Sequence, residues 1–349
     1  MSTKRLVPLP DHPKNLAWPT EAWPEAFDAG GFDRDRCTDA LDFAFSAAAL
    51  EKMGETHAFL AVHKGQVVLE RYAEGRDQTT TFPSWSKAKS ITQALVGILV
   101  RAGKIDIHAP ADVPEWQGAD DPRRAITLDQ LLRMSSGLKF TEDYVDSGVS
   151  DVIEMLFGAG SGDVAAHAAN FPLAQDPDTF WNYSSGTSNI VARCAQTALG
   201  RSGEAFQAWM FEQLFTPLGM RSPQPKFDAA GTFIGSSFCY ATARDFARFG
   251  LLYMRDGVWD GERILPKSWV DYARTPTKTP PDEPMGYGAH WWLGLAGPDS
   301  FSANGYEGQF TVCVPSLDLI MVRHGKSEAG EKGDAVRAWL ADMAENFRK

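Results

Sequence analysis

Residues 88–100 are apolar nearly all the way round a helix, yet the segment opens with Ser84, Ser86, Lys87 and Lys89. A helix apolar on every side has to be buried, so the fold must wrap this segment and carry lysine into its interior. Positions i and i+3 share one side of a helix, so Ser84 can meet Lys87 and Ser86 can meet Lys89. Periodicity does not choose between the two registers. A serine becomes a nucleophile when a base takes its proton, and a lysine is that base only when neutral. Burial, the positive end of a helix dipole and a second cation all disfavour the ammonium form, and this segment offers all three. The plain alternative is an N-cap serine followed by solvated lysines.

The 349 residues allow one large domain or two smaller ones. A net charge of −11 argues against a nucleic-acid partner, because neutralising phosphates needs clustered Lys and Arg. Cysteines 37, 194, 239 and 313 are scattered and read as reduced, buried thiols. No run of eighteen apolar residues is present to span a membrane. The first ten residues lack the apolar core of a secretory signal, so the expected compartment is the cytoplasm. The seven histidines form no metal-ligand set, and His290, beside Trp291 and Trp292, reads as a pocket wall or core residue.

Residues 1–35 read as an extended arm and 37–52 as a helix with Leu41, Phe45 and Ala48 on one side. Ala58–Val62 and Val67–Tyr72 read as a hairpin, and the serine helix should end near Gly103. Helical patterns follow at Leu128–Met134, Val149–Phe157, Val164–Ala169, Thr187–Leu199, Glu204–Leu214 and Ala241–Arg255, with a last helix near Gly333–Phe347. Strands are expected at Phe233–Phe238, Trp291–Leu295, Phe310–Val314 and Leu317–Val322, with turn signals at Ala303-Asn304-Gly305. Strands gather at both ends and helices in the middle. The expected class is α+β: an antiparallel sheet flanked by helices and built from both chain ends, with an inserted, mainly helical domain. The boundaries read as 1–80 with 232–349 for the sheet domain, and 81–231 for the helical domain carrying the Ser-x-x-Lys helix. The serine would then sit at the seam, where clefts form.

Two further segments carry chemistry. Trp181-Asn182-Tyr183-Ser184-Ser185-Gly186 precedes a helical pattern, and a phenol beside a lysine can pass a proton from nucleophile to leaving group. Ser302-Ala303-Asn304-Gly305-Tyr306-Glu307-Gly308-Gln309 leads into a strand, where glycines admit a substrate and an edge N–H can face an oxyanion. Each taken alone is equally an ordinary turn.

In this order the three segments resemble the serine β-lactamase and penicillin-binding-protein superfamily. The likeness is nearer to its class C-like branch, which holds esterases, D-aminopeptidases and 6-aminohexanoate-dimer hydrolase. Trp85-Ser86-Lys87-Ala88-Lys89-Ser90-Ile91-Thr92 resembles that branch's active-site helix, and Tyr183-Ser184-Ser185 its tyrosine motif. The stretches 127–138, 241–250 and 266–270 resemble later elements of the branch, so the likeness covers roughly residues 50–325. It implies a β-lactamase/transpeptidase-like fold and sets the register at Ser86 and Lys89. It further implies Tyr183 as the proton relay, and the backbone N–H groups of Ser86 and Tyr306 as the oxyanion hole.

Three departures shape the reading. Ser185 stands where most class C enzymes carry asparagine, and Ala303-Asn304-Gly305 lacks the cation that would hold a β-lactam carboxylate. With no export signal expected, peptidoglycan would be out of reach. Ser185 and the segment Thr141-Glu142-Asp143-Tyr144-Val145-Asp146 both resemble the 6-aminohexanoate-dimer hydrolase group, which implies that Tyr144 lines the pocket. The expectation is a cytoplasmic serine hydrolase that cleaves a small-molecule ester or amide through an acyl-enzyme. Ser86 is the nucleophile, and Lys89 accepts its proton directly or through Tyr183. Tyr144, Ser185, Asn304 and Gly305 would face the substrate, with no metal or organic cofactor. The alternatives are a non-catalytic binding or sensor protein on the same scaffold, and a β-lactamase proper.

Overall fold

The computed structural model describes residues 6–144 and 150–348. Its centre is a seven-stranded antiparallel sheet in the order Gln66–Tyr72, Glu55–His63, Leu319–Lys326, Gln309–Val314, Phe301–Gly305, Trp292–Leu293 and Gly286–Tyr287. The two strands nearest the N-terminus therefore join five from the C-terminal part. Their seam is the pairing of Glu55–His63 with Leu319–Lys326, for example Leu60 opposite Val322.

Side chains alternate across the pleat, and both faces of this sheet are buried. Ala58, Leu60, Val62, Ile320 and Val322 face the core that also holds Ile91, Leu95, Phe246 and Phe249. Phe59, Ala61, Leu319 and Met321 face a second core closed by helices Arg34–Ala44, Ala47–Met53 and Glu331–Glu345. Burial on both sides explains why these strands read as continuous apolar runs. Between the sheet segments lie the helices Lys87–Arg101, Leu128–Leu132, Asp151–Phe157, Val164–Ala169, Ser185–Leu199 and Gly203–Met210. Among the described residues no helix is long and apolar enough to cross a membrane.

Several expectations need correction. Residues 37–52 are two helices, broken where Ser46 accepts the Ala49 N–H and caps the second. Phe233–Phe238 is not a strand. Its Gly235-Ser236-Ser237 forms a turn, Phe233 makes one isolated bridge to Phe227, and the strand begins at Cys239. Ala303, Asn304 and Gly305 lie in a strand, and the turn falls on Tyr306–Gly308. Trp291–Leu295 shrinks to Trp292–Leu293. Val149 lies outside the described residues, and its expected helix runs over Asp151–Phe157. The four cysteines are unpaired and buried.

Candidate active site

Every residue of the serine helix from Lys87 to Leu99 is buried. Its polar side chains find partners on neighbouring segments: Ser90 donates to the His290 carbonyl at 2.7 Å and Thr92 to the Gly235 carbonyl at 2.9 Å. Gly97 lets the ring of Trp269 lie on the helix, since a Cβ there would sit 2.4 Å from the indole nitrogen. Trp85, just before the helix, has φ of +44°. A bulky residue in the left-handed region costs about 1–3 kcal/mol and persists only where its surroundings hold it. The residue that follows it, Ser86, lines a cleft.

Ser86 occupies the N-cap position, but its hydroxyl caps nothing. It accepts a hydrogen bond from Lys89 Nζ at 2.9 Å instead. The competing register is built differently. Ser84 is fully buried, donates to the Ser237 carbonyl at 3.0 Å and accepts the Cys239 N–H at 2.9 Å. Lys87 points to His324, away from either serine hydroxyl.

Lys89 is 2% exposed. Its amine also donates to Ser185 Oγ at 2.9 Å and to the Ser236 carbonyl at 3.2 Å. Burial lowers its pKa to about 8, against the opposing pull of the Glu142 carboxylate. The amine is thus poised to lose its proton near neutral pH. Tyr183 packs its ring 4.7 Å from the same amine, and Ser86 and Trp292 are the neighbours that favour ionisation of its phenol. Burial and the Glu142 charge push that phenol well above its usual pKa, so it stays protonated.

Glu142 is the residue that sequence reasoning passed over. Its carboxylate accepts the Ser185 N–H at 2.7 Å and the Ser185 hydroxyl at 2.5 Å, at the positive end of the Ser185–Leu199 helix. Tyr144 donates to it at 3.3 Å. Ser185, expected to face the substrate, is fully buried, and its hydroxyl is committed to Lys89 and Glu142. The signal was a carboxylate two residues before Tyr144, in a stretch already singled out, but nothing in the spacing tied it to Lys89.

The cleft beside Ser86 holds about 330 Å³. Tyr144, Tyr183, Asn304, Gly305 and Tyr306 line it, with Trp292, Met285 and Phe310 as apolar walls. Asn304 Oδ1 is shielded from solvent without a hydrogen-bond partner. Gly305 presses on the backbone before Ser86: a Cβ there would lie 2.3 Å from the Ser84 carbonyl oxygen. That contact brings Tyr306 alongside Ser86. Ala303 is buried in the core, and the arginine lining the cleft, Arg337, pairs with Asp334. His290 is a core residue joining the two helices, with Nδ1 2.9 Å from the Lys89 carbonyl and Nε2 3.1 Å from Ser188 Oγ. Val145 and Asp146 lie outside the described residues.

A lysine of lowered pKa touching an uncapped serine hydroxyl belongs to the chemistry of serine hydrolases, and comparison with known proteins gives the same class. The family model described as Beta-lactamase matches residues 47–345. The chain belongs to that family, and is a hydrolase of the serine β-lactamase and penicillin-binding-protein superfamily. It is 28% identical over 289 residues to the 6-aminohexanoate-dimer hydrolase of Paenarthrobacter ureafaciens, spanning 77% of this chain and 72% of that protein. Its fold matches a putative 6-aminohexanoate-dimer hydrolase from Bacillus anthracis with a TM-score of 0.76 at 21% identity, covering 99% of this chain and 92% of the other. It matches a family VIII carboxylesterase with a TM-score of 0.68 at 18% identity, covering 93% and 99%.

Proposed function

We propose that Ser86 attacks the carbonyl of a small-molecule ester or amide and is acylated, with Lys89 as the base. The observation that carries this reading is the 2.9 Å contact between Lys89 Nζ and Ser86 Oγ, made by an amine whose pKa burial lowers to about 8. Lys89 accepts the proton directly, because the elevated pKa of Tyr183 makes its phenolate a scarce base. The protonated phenol then gives its proton to the leaving group and is resupplied from the Lys89 ammonium. The N–H groups of Ser86 and Tyr306 hold the oxyanion, and Tyr144, Asn304 and Gly305 contact the substrate. Water attacks the acyl-enzyme by the same proton path in reverse. Four unpaired thiols fit a reducing compartment, the cytoplasm.

The amide arm of this reading draws on the relative that hydrolyses 6-aminohexanoate dimer, and the ester arm on the carboxylesterase. A β-lactamase proper is disfavoured, because alanine stands at 303 and Arg337 is paired with Asp334. The test is intact-mass analysis after a fluorophosphonate, run beside p-nitrophenyl butyrate turnover. One adduct on Ser86, with turnover abolished in Ser86→Ala, is the expected result. Parent-like turnover in Ser86→Ala would move the nucleophile elsewhere, and neither adduct nor turnover would favour the binding protein. Nitrocefin should be hydrolysed slowly or not at all.

A further inference from the structure

Lys87 is the first residue of the serine helix, 1% exposed, and it lies outside the cleft. Among the described residues it makes no ion pair, and its amine rests 3.3 Å from the centroid of the Phe246 ring. Burial pushes its pKa far down. Its polar contact is His324 Nε2, at 3.3 Å.

The direction of that contact follows from the next residue in the chain of bonds. Gln309 Nε2 faces two carbonyls, Gly325 at 2.6 Å and Glu307 at 3.2 Å, so it is the amide nitrogen. Gln309 Oε1 therefore faces His324 Nδ1 at 3.0 Å. An amide oxygen only accepts, so Nδ1 carries the imidazole proton and Nε2 keeps a lone pair. That lone pair is buried, and the donor beside it is Lys87. The bonds run one way, from Lys87 through His324 and Gln309 to the Glu307 carbonyl.

Their end point is the turn that presents Tyr306 to Ser86. Glu307 has φ of +59°, a left-handed conformation that a non-glycine residue keeps only when it is held. Its carbonyl also accepts the Ser327 N–H at 3.0 Å, and the Gly308 carbonyl accepts from Arg323 Nη1 at 2.8 Å. Arg323 and His324 are adjacent on one strand and reach the turn from opposite faces of the sheet.

We propose that Lys87 is a positioning residue which, acting through His324 and Gln309, fixes the Tyr306–Gly308 turn in register with the serine helix and so aligns the Tyr306 N–H with the Ser86 carbonyl adduct. This rests on the hydrolase reading for its effect on rate, but not for its effect on the turn. Without the amine, His324 Nε2 is an orphaned acceptor, and the imidazole that bonds the Gln309 amide loses the contact that orients it.

The experiment compares the parent, Lys87→Met, Gln309→Met and the double variant. It reads p-nitrophenyl butyrate kinetics and amide hydrogen exchange over residues 305–309 and at Ser327, whose N–H reports the Glu307 carbonyl. Losing an oxyanion donor outright costs about 100- to 1,000-fold in kcat, so a misaligned one in Lys87→Met should cost about 10-fold. KM should stay within about two-fold, since substrate does not touch Lys87. Exchange at 305–309 and Ser327 should quicken while residues 58–62 stay protected, and the double variant should be no worse than the worse single one. Parent-like kcat in Lys87→Met, or single losses that multiply, would overturn the proposal. If the parent neither turns over the ester nor forms the phosphonate adduct, the hydrolase reading fails, and exchange alone decides the relay: unchanged exchange sinks it. Should Lys87→Met not fold, Gln309→Met carries both measurements.

Discussion

Glu142 grips Ser185 at two points, through its backbone N–H and through its hydroxyl. The same hydroxyl accepts from Lys89, so a full negative charge stands one side chain away from the amine beside Ser86. That charge favours the ammonium form and opposes the burial that lowers the Lys89 pKa to about 8. General-base catalysis needs the free amine, so kcat/KM should rise with pH through about 8. Glu142→Gln removes the opposing charge and should move that rise to lower pH. A pH–rate profile for p-nitrophenyl butyrate checks both, and a rise that stays in place or moves to higher pH would separate Glu142 from the base.

Lys89→Met keeps much of the side chain's volume and removes the proton acceptor. Loss of a general base typically costs on the order of 100- to 10,000-fold, and the loss should fall on kcat with KM little changed. Steady-state kinetics beside the milder Lys87→Met make the contrast. Lys89→Met losing less than Lys87→Met would reverse the roles given to the two lysines.

Gly305→Ala tests the close approach of the strand to the backbone just before Ser86. Its Cβ would fall 2.3 Å from the Ser84 carbonyl and 3.1 Å from Trp85 Cβ. The strand end must retreat and carry Tyr306 with it. The expected loss is about 100-fold in kcat, in the range for losing one oxyanion donor, with an unchanged circular dichroism spectrum. The rate of phosphonylation at Ser86 should fall in parallel, and a parent-like rate would remove Tyr306 from the oxyanion hole.

Gly97→Ala tests packing behind the site. The new methyl would overlap the Trp269 indole, whose N–H donates to the Gln93 carbonyl at 3.3 Å. Overpacking of this kind costs about 1–3 kcal/mol. Urea denaturation should show a lower midpoint with an unchanged slope.

What was legible in the sequence follows from what local spacing encodes. Ser86 and Lys89 lie one helical turn apart, which made their contact legible, but Ser84 and Lys87 share that spacing and their side chains do not touch, so the resemblance and not the spacing chose the register. The sheet from both chain ends was legible because its central strands, Glu55–His63, Gln309–Val314 and Leu319–Lys326, carry apolar runs, whereas the end of Phe301–Gly305 read as a turn. Glu142 was not, because its link to Lys89 passes through Ser185, 43 residues further along the chain. Ser236 was hidden for another reason: the apolar pair Phe233 and Ile234 resembles a strand, while the turn after it delivers a carbonyl to Lys89. Ser185 was assigned to the substrate because a motif names positions, whereas burial decides which hydroxyls a substrate can reach.

The pairing of Glu55–His63 with Leu319–Lys326 also sets a timetable for synthesis. The serine helix leaves the ribosome long before the strand that will back it. Until that strand arrives, His324, the polar partner of Lys87, is missing. The Lys87–His324 contact, and with it the proposed relay to the Tyr306–Gly308 turn, can therefore form only once the Leu319–Lys326 strand has been translated and docked.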